Sequence, residues 1–380
     1  MAEGIWKEEE RNSPMSALFE QRDEQAQVVE PPAENDESVV LVDRALLQTA
    51  ADPTEPDLFE ESILLAPSAG VLYDNEMIIE AAFQYYRETG FPYPSQPVHV
   101  SMQQLNALAQ TDTDSLLHTA TGYAVANNYH RHRLLSTVKG KSSPYDSFQD
   151  DKRLHRALRL IFEQTGSLGT GYLSTFSLVS GTQACANFRP GFALWMYRRF
   201  APVDGVVLDT STGYGGRLVG FMASMCQRYI GFDPNTQTHE GNLRMVKDLR
   251  QRSRVELHCQ AIEDVDMDEH RETCDFAFTS PPYFTKEHYI DEDTQSWKRY
   301  PQFLPWCEGF LSPMLALQFM ALRPGSRSIV NIADVNIGST RYALVEETIV
   351  RGQKAGFIFE RQEYFQLGVR FGKNQDEEIA

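Results

Sequence analysis

The chain has 380 residues, 42% of them hydrophobic, and a formal net charge of −18. This length predicts one large or two medium-sized domains with a sizeable core. No apolar run reaches the length of a membrane span, and the first residues lack the basic start of a secretory signal. The five scattered cysteines form neither a metal-ligand spacing nor an even disulfide set. These features predict a protein of the reducing cytoplasm, with no metal site.

The acidic charge is concentrated at the start of the chain. Residues 1–60 hold 16 acidic and 4 basic residues, a net of −12, which leaves −6 for residues 61–380. Because this segment is also rich in Glu, Pro, Gln and Ala, we predict a largely disordered tail, with a partner-binding segment around residues 39–47 as the alternative. The overall acidity therefore does not exclude a nucleic-acid partner for the rest of the chain.

Residues 61–180 are predicted to form a mostly helical region. Apolar residues recur at helical spacing from Met77 to Tyr86, and a further helical pair is predicted from Ser101 to Leu117. Between Asn128 and Arg159 there are eight basic and three acidic residues, with aromatic side chains between them. This pattern suits contact with a phosphate backbone, and a solvated amphipathic helix is an equal alternative. The histidines of this segment, His130, His132 and His155, are expected to lie on the surface.

From residue 181 the pattern changes to alternating strands and helices, which predicts an α/β domain with a parallel sheet covered on both faces. A helix begins at Pro190. The predicted strands are 206–209, 229–233, 255–259, 274–278 and 328–332, followed by a terminal pair; the predicted helices are 190–200, 216–227, 238–250, 306–322 and 342–355.

Two loops of this domain suit a nucleotide-like ligand. The first strand ends in Asp209 and a glycine-rich turn, and the next ends in Asp233, 18 residues after Gly215. Glycines allow a sharp turn and close approach of a ligand, and a strand-end acid can accept both hydroxyls of a ribose. The pattern fits NAD or S-adenosylmethionine. The absence of Gly-Lys-Ser/Thr after the turn argues against a nucleoside triphosphate.

The other loop is Thr279-Ser280-Pro281-Pro282-Tyr283-Phe284, directly after an apolar strand. A double proline cannot continue inside a sheet, so the chain leaves it here as a rigid loop. The prolines remove amide donors and leave carbonyl acceptors, Ser280 adds an oxygen acceptor, and Tyr283 offers an aromatic face. This set suits a planar ring that bears an amino group. An ordinary proline turn is the alternative.

In this order, the Asp209 glycine turn, the strand ending in Asp233-Pro234-Asn235 and the Ser-Pro-Pro-Tyr loop resemble the DNA methyltransferases that modify exocyclic amino groups. The resemblance covers residues 181 to about 370. It implies a Rossmann-like class I methyltransferase domain, residues 181–380, with a mostly parallel seven-stranded sheet, and S-adenosylmethionine as cofactor. The product is expected to be N4-methylcytosine rather than N6-methyladenine, since Ser at the first loop position goes most often with cytosine in that family.

The resemblance also assigns roles to residues. The catalytic set is Ser280, Pro281, Pro282 and Tyr283, whose oxygens would hold the target amine while Tyr283 stacks on a base flipped out of the duplex. The helix after Phe188-Arg189-Pro190 resembles the segment that closes the methionine side of the cofactor in that family. Residues expected to border the cofactor are Asp209, Thr212, Gly213, Tyr214, Gly215, Asp233 (ribose), Ala261, Ile262 (adenine) and Thr279. This chain has Thr210-Ser211-Thr212 where the family often has Pro-Phe-Ala.

No gap of the catalytic domain is long enough for a sizeable target-recognition domain. DNA recognition is therefore expected from residues 61–180, helped by the loop 284–305 acting as a lid. The expected DNA contacts are Arg131, Arg133, Lys139, Lys141, Lys286 and Arg299. A cognate restriction or defence partner is a further expectation.

Three alternatives remain open at this point. The chain could methylate amino groups in RNA or glutamine side chains in protein, since related Pro-Pro-Tyr loops serve those reactions. It could bind nucleic acid without turnover, although the intact Ser280, Asp233 and glycines argue against this. It could use NAD, which leaves the Ser-Pro-Pro-Tyr loop without explanation.

Overall fold

The computed structural model describes residues 74–165, 168 and 181–364. The predicted acidic tail, with its segment 39–47, lies outside these residues. The helices of the described chain are α1 (Asn75–Thr89), α2 (Val98–Gln110), α3 (Tyr123–Tyr129), α4 (Pro144–Gln149), α5 (Asp151–Thr165), α6 (Pro190–Phe200), α7 (Gly216–Met222), α8 (Thr236–Asp248), α9 (Ser296–Arg299), α10 (Phe303–Trp306), α11 (Ser312–Ala321) and α12 (Leu344–Ala355).

The strands are β1 (Thr137–Val138), β2 (Val206–Asp209), β3 (Arg228–Phe232), β4 (Val255–His258), β5 (Cys274–Thr279), β6 (Glu287–His288), β7 (Leu322–Val330), β8 (Val335–Ile337) and β9 (Thr340–Tyr342). The central sheet has the order β4-β3-β2-β5-β7, and every neighbouring pair in it is parallel. The order reverses between β2 and β5. In open α/β sheets, ligands bind at this switch point, outside the carboxyl ends of the strands.

The central strands are apolar along their whole length because both sheet faces are covered. Alternate residues of β2 show this: Val207 packs against the helices on one face, whereas Leu208 packs against those on the other. Phe278 and Ala277 of β5 divide in the same way. The result is a Rossmann-like α/β fold with three layers.

Part of the N-terminal region belongs to the core of the α/β domain. Leu108 of α2 and Val125 of α3 are completely buried in the same cluster as α6 and α7. Arg198 of α6 donates two hydrogen bonds of 2.7 Å to the carbonyls of Ala109 and Thr111, which end α2. The hydrophobic core therefore crosses the predicted boundary at residue 180. A separate cluster joins α1, α4 and α5.

Some predicted elements differ from the observed ones. The central sheet has five strands in the described residues, all parallel, whereas seven were predicted. Residues 356–364, where the terminal pair was expected to begin, contain no strand, and residues 365–380 lie outside the described part. The helix predicted over 306–322 is a longer run from Phe303 to Ala321 that contains a π-helical turn, Cys307–Leu311. No helix of the described residues is long and apolar enough to cross a membrane.

Candidate active site

The carboxyl edge of β2 is built around a buried ion pair between Asp209 and Arg217. Arg217 donates from Nε to Asp209 Oδ2 at 2.8 Å and from Nη2 to Oδ1 at 3.3 Å. The hydroxyls of Tyr229 and Thr279 donate to the same carboxylate at 2.6 and 2.9 Å, and the Ser211 amide adds a fifth bond at 3.1 Å. Five protein donors thus use the acceptor capacity of this carboxylate.

This geometry gives Asp209 and Thr279 a positioning role. Their hydrogen bond ties the end of β2 to the end of β5, the two strands that flank the switch point. The contact of either residue with a cofactor stays a prediction.

The glycine turn is held from both sides. Gly213 and Gly215 have positive φ angles of 59° and 75°, a conformation that L side chains rarely adopt. Asn187 donates to the carbonyl of Tyr214 at 3.0 Å and accepts from the amide of Gly216 at 3.2 Å. A Cβ on Gly216 would lie 2.0 Å from the carbonyl oxygen of Phe188. The segment before α6 therefore crosses the turn directly, and the role predicted for the helix itself, closing the methionine side of a cofactor, stays a prediction.

Two side chains of the turn face the protein. Thr212 packs over Gly231, where a Cβ would lie 2.5 Å from its Oγ1, and its amide donates to the carbonyl of Phe232 at 2.8 Å. The ring of Tyr214 is buried beside His132 and Tyr289, with centroid distances of 5.5 and 5.9 Å. These residues can present their backbone to a ligand, whereas their side chains fix the turn.

Asp233 lies one residue beyond β3 and connects the glycine turn to α8. Its Oδ2 accepts from the Gly213 amide at 2.8 Å and its Oδ1 from the Asn235 amide at 2.9 Å. Each oxygen keeps a second lone pair for another donor. Burial raises the pKa of Asp233 to about 6, although the two amide bonds act in the opposite direction. A ligand with two adjacent hydroxyls would therefore meet a poorly solvated acceptor.

The predicted adenine segment forms a 3-10 turn, Ile262–Asp264, after β4. Ala261 and Ile262 are buried and provide an apolar wall. Glu263 and Asp264 bind Arg299 of α9 at 3.2 and 2.8 Å. This pairing anchors the loop 284–305 to the sheet edge.

The Ser-Pro-Pro-Tyr loop leaves β5 at the switch point and is fastened by Asn331, the residue after β7. Asn331 Nδ2 donates to the oxygens of Ser280 and Tyr283 at 3.2 and 2.9 Å, and its amide bonds the Thr279 carbonyl at 2.9 Å. The Tyr283 hydroxyl donates to the Asn331 carbonyl at 3.2 Å. Ser280 and Tyr283 are therefore held in one fixed arrangement. Both side chains are half-buried.

The next residue carries backbone strain. Phe284 has a φ of +55°, which is unfavourable for a bulky residue and persists only where the surroundings enforce it. Its buried ring packs against Phe303, Trp306 and Tyr342. This aromatic cluster anchors the loop from below.

The N-terminal region reaches the Ser-Pro-Pro-Tyr loop through a short β-ladder. β1 pairs antiparallel with β6, matching Thr137 to His288 and Val138 to Glu287, and the Lys139 amide bonds the Lys286 carbonyl at 2.8 Å. Lys139 and Lys141 are exposed beside this ladder. Two of the predicted DNA contacts thus lie next to the Ser-Pro-Pro-Tyr loop.

The other predicted DNA contacts are arranged differently. Arg131 is exposed and stacks over Tyr93 at 5.8 Å, in an open cleft of about 540 Å³ between α3 and α8. Lys286 donates to the carbonyl of Asn336 at 3.0 Å. Arg133 points inward and Arg299 is paired with two acids. Of the six residues, three are exposed (Arg131, Lys139 and Lys141) and three are half-buried with bonds to other protein groups (Arg133, Lys286 and Arg299).

The expectation that His130 and His132 lie on the surface is wrong for His130, which is 1% exposed. His130 lies 3.0 Å from Asn242 Oδ1, and His132 Nε2 lies 2.9 Å from Thr238 Oγ1. Burial lowers the pKa of these imidazoles to about 3 and about 4. They pack the N-terminal region onto α8, next to the glycine turn. The sequence signal was their place directly after an apolar helix.

Sequence reasoning also missed Asn187, Asn331 and Glu287. Burial raises the pKa of Glu287, whose carboxyl accepts from the Tyr289 hydroxyl and lies near Tyr283 and Tyr214. No short motif contains these residues, because each acts on a loop distant in sequence. The only available signal for Asn331 was its polar side chain inside the predicted strand 328–332.

No protein-family model and no curated protein matches the sequence. Among solved structures, the chain is similar to geranyl diphosphate C-methyltransferase from Streptomyces coelicolor A3(2), with 15% identity and a TM-score of 0.27 over 37% of this chain and 43% of that one. It is also similar to a TehB-like SAM-dependent methyltransferase from Corynebacterium glutamicum, with 14% identity and a TM-score of 0.30 over 45% and 73%. A third structure is the cyclase SpnF, with 12% identity and a TM-score of 0.33 over 44% and 57%.

These likenesses are weak and concern only part of each protein: the chain spans 43% of the first of these structures and 57% of the cyclase. Because one fold hosts many reactions, they do not assign an activity. The Rossmann-like fold stands on the strand order itself.

Proposed function

We propose that this chain transfers a methyl group from S-adenosylmethionine to an exocyclic amino group of a base in DNA, with cytosine N4 favoured over adenine N6. The observation that carries the proposal is the Ser280–Tyr283 loop, fixed by Asn331 at the switch point beside the glycine turn. Its acceptors suit an aromatic amine at the place where a parallel sheet positions a ligand.

The residues present fit the cofactor. A positive-φ glycine turn offers its backbone, Asp233 keeps an open lone pair on each oxygen, and Ala261 and Ile262 form an apolar wall. When bound, S-adenosylmethionine supplies an electrophilic methyl group on a sulfonium.

The chain's own residues would act on the amine. Its lone pair is conjugated with the ring and is a poor nucleophile. Ser280 Oγ and the Pro281 carbonyl can accept its two N–H bonds, which favours a tetrahedral nitrogen whose lone pair faces the methyl group. Transfer would form an N–C bond at the expense of the S–C bond of the cofactor, and Ser280 would pass the surplus proton of the amine to water. Positioning supplies much of the rate.

The direct test is transfer of a labelled methyl group from S-adenosylmethionine to DNA, RNA or protein offered separately to the full chain. We expect incorporation into DNA. Label in RNA or protein alone would replace the substrate class while keeping the reaction, and no label in any polymer would reject the proposal.

Cofactor affinity is expected to fall as pH is lowered through about 6. The folded-state pKa of Asp233 is about 6, above its ordinary 3.8. In the free protein the protonated carboxyl therefore favours the folded state, and this contribution to stability is lost as pH rises through about 6. Ribose hydroxyls would favour the ionised form, so a protonated Asp233 should bind the cofactor less tightly. Calorimetry with S-adenosylhomocysteine between pH 5 and 7.5 checks this.

The Asp233→Asn variant provides the control, because it cannot titrate. Its affinity should be weak and flat with pH, and Asp233→Ala should lose roughly 1.5–3 kcal/mol of binding free energy. Equal pH dependence in Asp233→Asn and wild type would show that another group titrates.

Lys139 and Lys141, which lie beside the β1–β6 pair, are expected to contact the phosphate backbone. Replacing Lys139 and Lys141 with alanine should weaken DNA binding on every sequence and flatten the salt dependence by about one unit per lost contact. Arg299→Ala is the matched control, since its guanidinium already pairs with Glu263 and Asp264. Filter binding over a salt series gives the slopes. Flattening in the control variant but not in the lysine variants would move the interface to the α9 loop.

A further inference from the structure

Arg133 is an inward-facing arginine without an acidic partner. Its Nη1 donates to the Cys185 carbonyl at 3.3 Å, whereas its Nε is buried and has no hydrogen-bond partner. Within residues 74–165 and 181–364, no carboxylate forms an ion pair with it. Burial lowers the pKa of Arg133. Arg133 is half-buried, and a buried N–H without a partner is costly, because it loses its hydration without compensation.

Arg133 differs from other arginines that are buried or half-buried in the described residues. Arg217 forms two hydrogen bonds with Asp209, and Arg299 binds Glu263 and Asp264. Arg254 has no acidic partner, but its guanidinium donates to the carbonyls of Met222, Ser224 and Cys226. Arg133 donates to the Cys185 carbonyl alone, which leaves its Nε for a ligand.

The surroundings of Arg133 place it beside the glycine turn. It lies close enough to Tyr214 of the turn, to Tyr123 and to Cys185 to interact electrostatically with all three. Cys185 belongs to the same segment as Asn187, which bonds the Tyr214 carbonyl and the Gly216 amide. The guanidinium thus lies between the N-terminal region and the segment that crosses the turn.

The titratable groups described around Arg133 neither pair with its guanidinium nor compete with it for an anion. Burial keeps His130 and His132 neutral at pH 7, with pKa values of about 3 and about 4. Glu287 is the acid that lies near Tyr214 and Cys185, and it is bonded to the Tyr289 hydroxyl instead.

We propose that Arg133 binds an oxyanion of a ligand, a carboxylate or a phosphate, beside the glycine turn. A planar guanidinium binds either group through paired hydrogen bonds. The identity of the ligand rests on the proposed function, which supplies two sources: the carboxylate on the methionine part of the cofactor, and a phosphate of the target nucleotide.

The test compares the Arg133→Met variant with wild type and with Arg252→Met, which removes an exposed arginine between α8 and β4. Calorimetry measures S-adenosylhomocysteine, which carries the carboxylate, and 5′-methylthioadenosine, which lacks the amino-acid part. A duplex oligonucleotide is the third probe. For the carboxylate, we expect Arg133→Met to lose at least about tenfold in affinity for S-adenosylhomocysteine and to keep its affinity for 5′-methylthioadenosine. For the phosphate, only oligonucleotide binding should fall by that factor.

Thermal unfolding of the free proteins separates a ligand site from a structural role. Removing a half-buried arginine whose Nε has no partner should leave the melting temperature of Arg133→Met unchanged or higher. A marked drop in melting temperature, an equal loss for 5′-methylthioadenosine, or no change for any probe would overturn the proposal. Failure of wild type to bind S-adenosylhomocysteine would instead reject the proposed cofactor and leave the oligonucleotide arm to decide on Arg133.

Discussion

The Ser280→Ala variant is expected to lose about 10²-fold or more in methyl transfer while binding the cofactor nearly as well as wild type. In the proposed reaction Ser280 accepts a hydrogen bond from the target amine, and its Oγ is held 3.2 Å from Asn331 Nδ2. Its removal deprives the amine of one acceptor and lets the reacting nitrogen move, and a displacement of about 1 Å can cost about 10²-fold. Single-turnover rates and cofactor calorimetry on the same preparations measure the two effects.

Variants of Tyr283 separate the ring from the hydroxyl. Tyr283→Ala should lose as much activity as Ser280→Ala, since the stacking face is gone. Tyr283→Phe keeps the face and loses the hydroxyl's bonds to Asn331 and Ser280, so it should retain more activity than Tyr283→Ala. Full activity in Ser280→Ala, or equal losses in both Tyr283 variants, would contradict these roles.

The Asp209→Ala variant is expected to lose about 3–5 kcal/mol of its free energy of unfolding, more than any other single variant named above. It leaves the buried Arg217 guanidinium without its carboxylate and removes the acceptor of the Tyr229 and Thr279 hydroxyls. That loss is a large share of the roughly 5–15 kcal/mol that stabilises a typical domain. Denaturant unfolding followed by circular dichroism measures the change in free energy of unfolding.

A second variant shows whether the unpaired charge causes the loss. Replacing both partners, as Asp209→Ala with Arg217→Met, should recover part of the stability, because no charge then stays buried alone. If the double variant is less stable than Asp209→Ala, the effect comes from lost packing around β2 instead.

The central part of the fold was predictable from local signals. β2 was predicted at its observed bounds, and the other sheet strands from 228 to 279 within one residue, because continuous apolar runs between glycine and proline turns leave few alternatives. α7 was predicted too long, since residues 223–227 form turns. The helix predicted over 306–322 missed its first turn, Phe303–Trp306, where Pro305 argues against a helix interior although proline is tolerated in a first turn.

The loops of the candidate site were predictable, whereas their internal support was not. The glycine turn, Asp233 and the Ser-Pro-Pro-Tyr loop each have a local motif. Asn331 and Asn187 act through hydrogen bonds to loops 48 and 27 residues away along the chain, and no local pattern reports such pairs. Arg133 and Arg299 were predicted as DNA contacts from charge alone, which does not tell a surface arginine from one that folds inward or pairs with acids.

Digestion of DNA methylated by the purified protein, followed by mass spectrometry of the nucleosides, tests the central proposal most directly. We expect N4-methylcytosine to appear with wild-type protein and S-adenosylmethionine and to be absent with Ser280→Ala. N6-methyladenine alone would correct the base and keep the mechanism. If the protein is folded and binds the cofactor but no DNA yields a methylated nucleoside, the proposed function is contradicted.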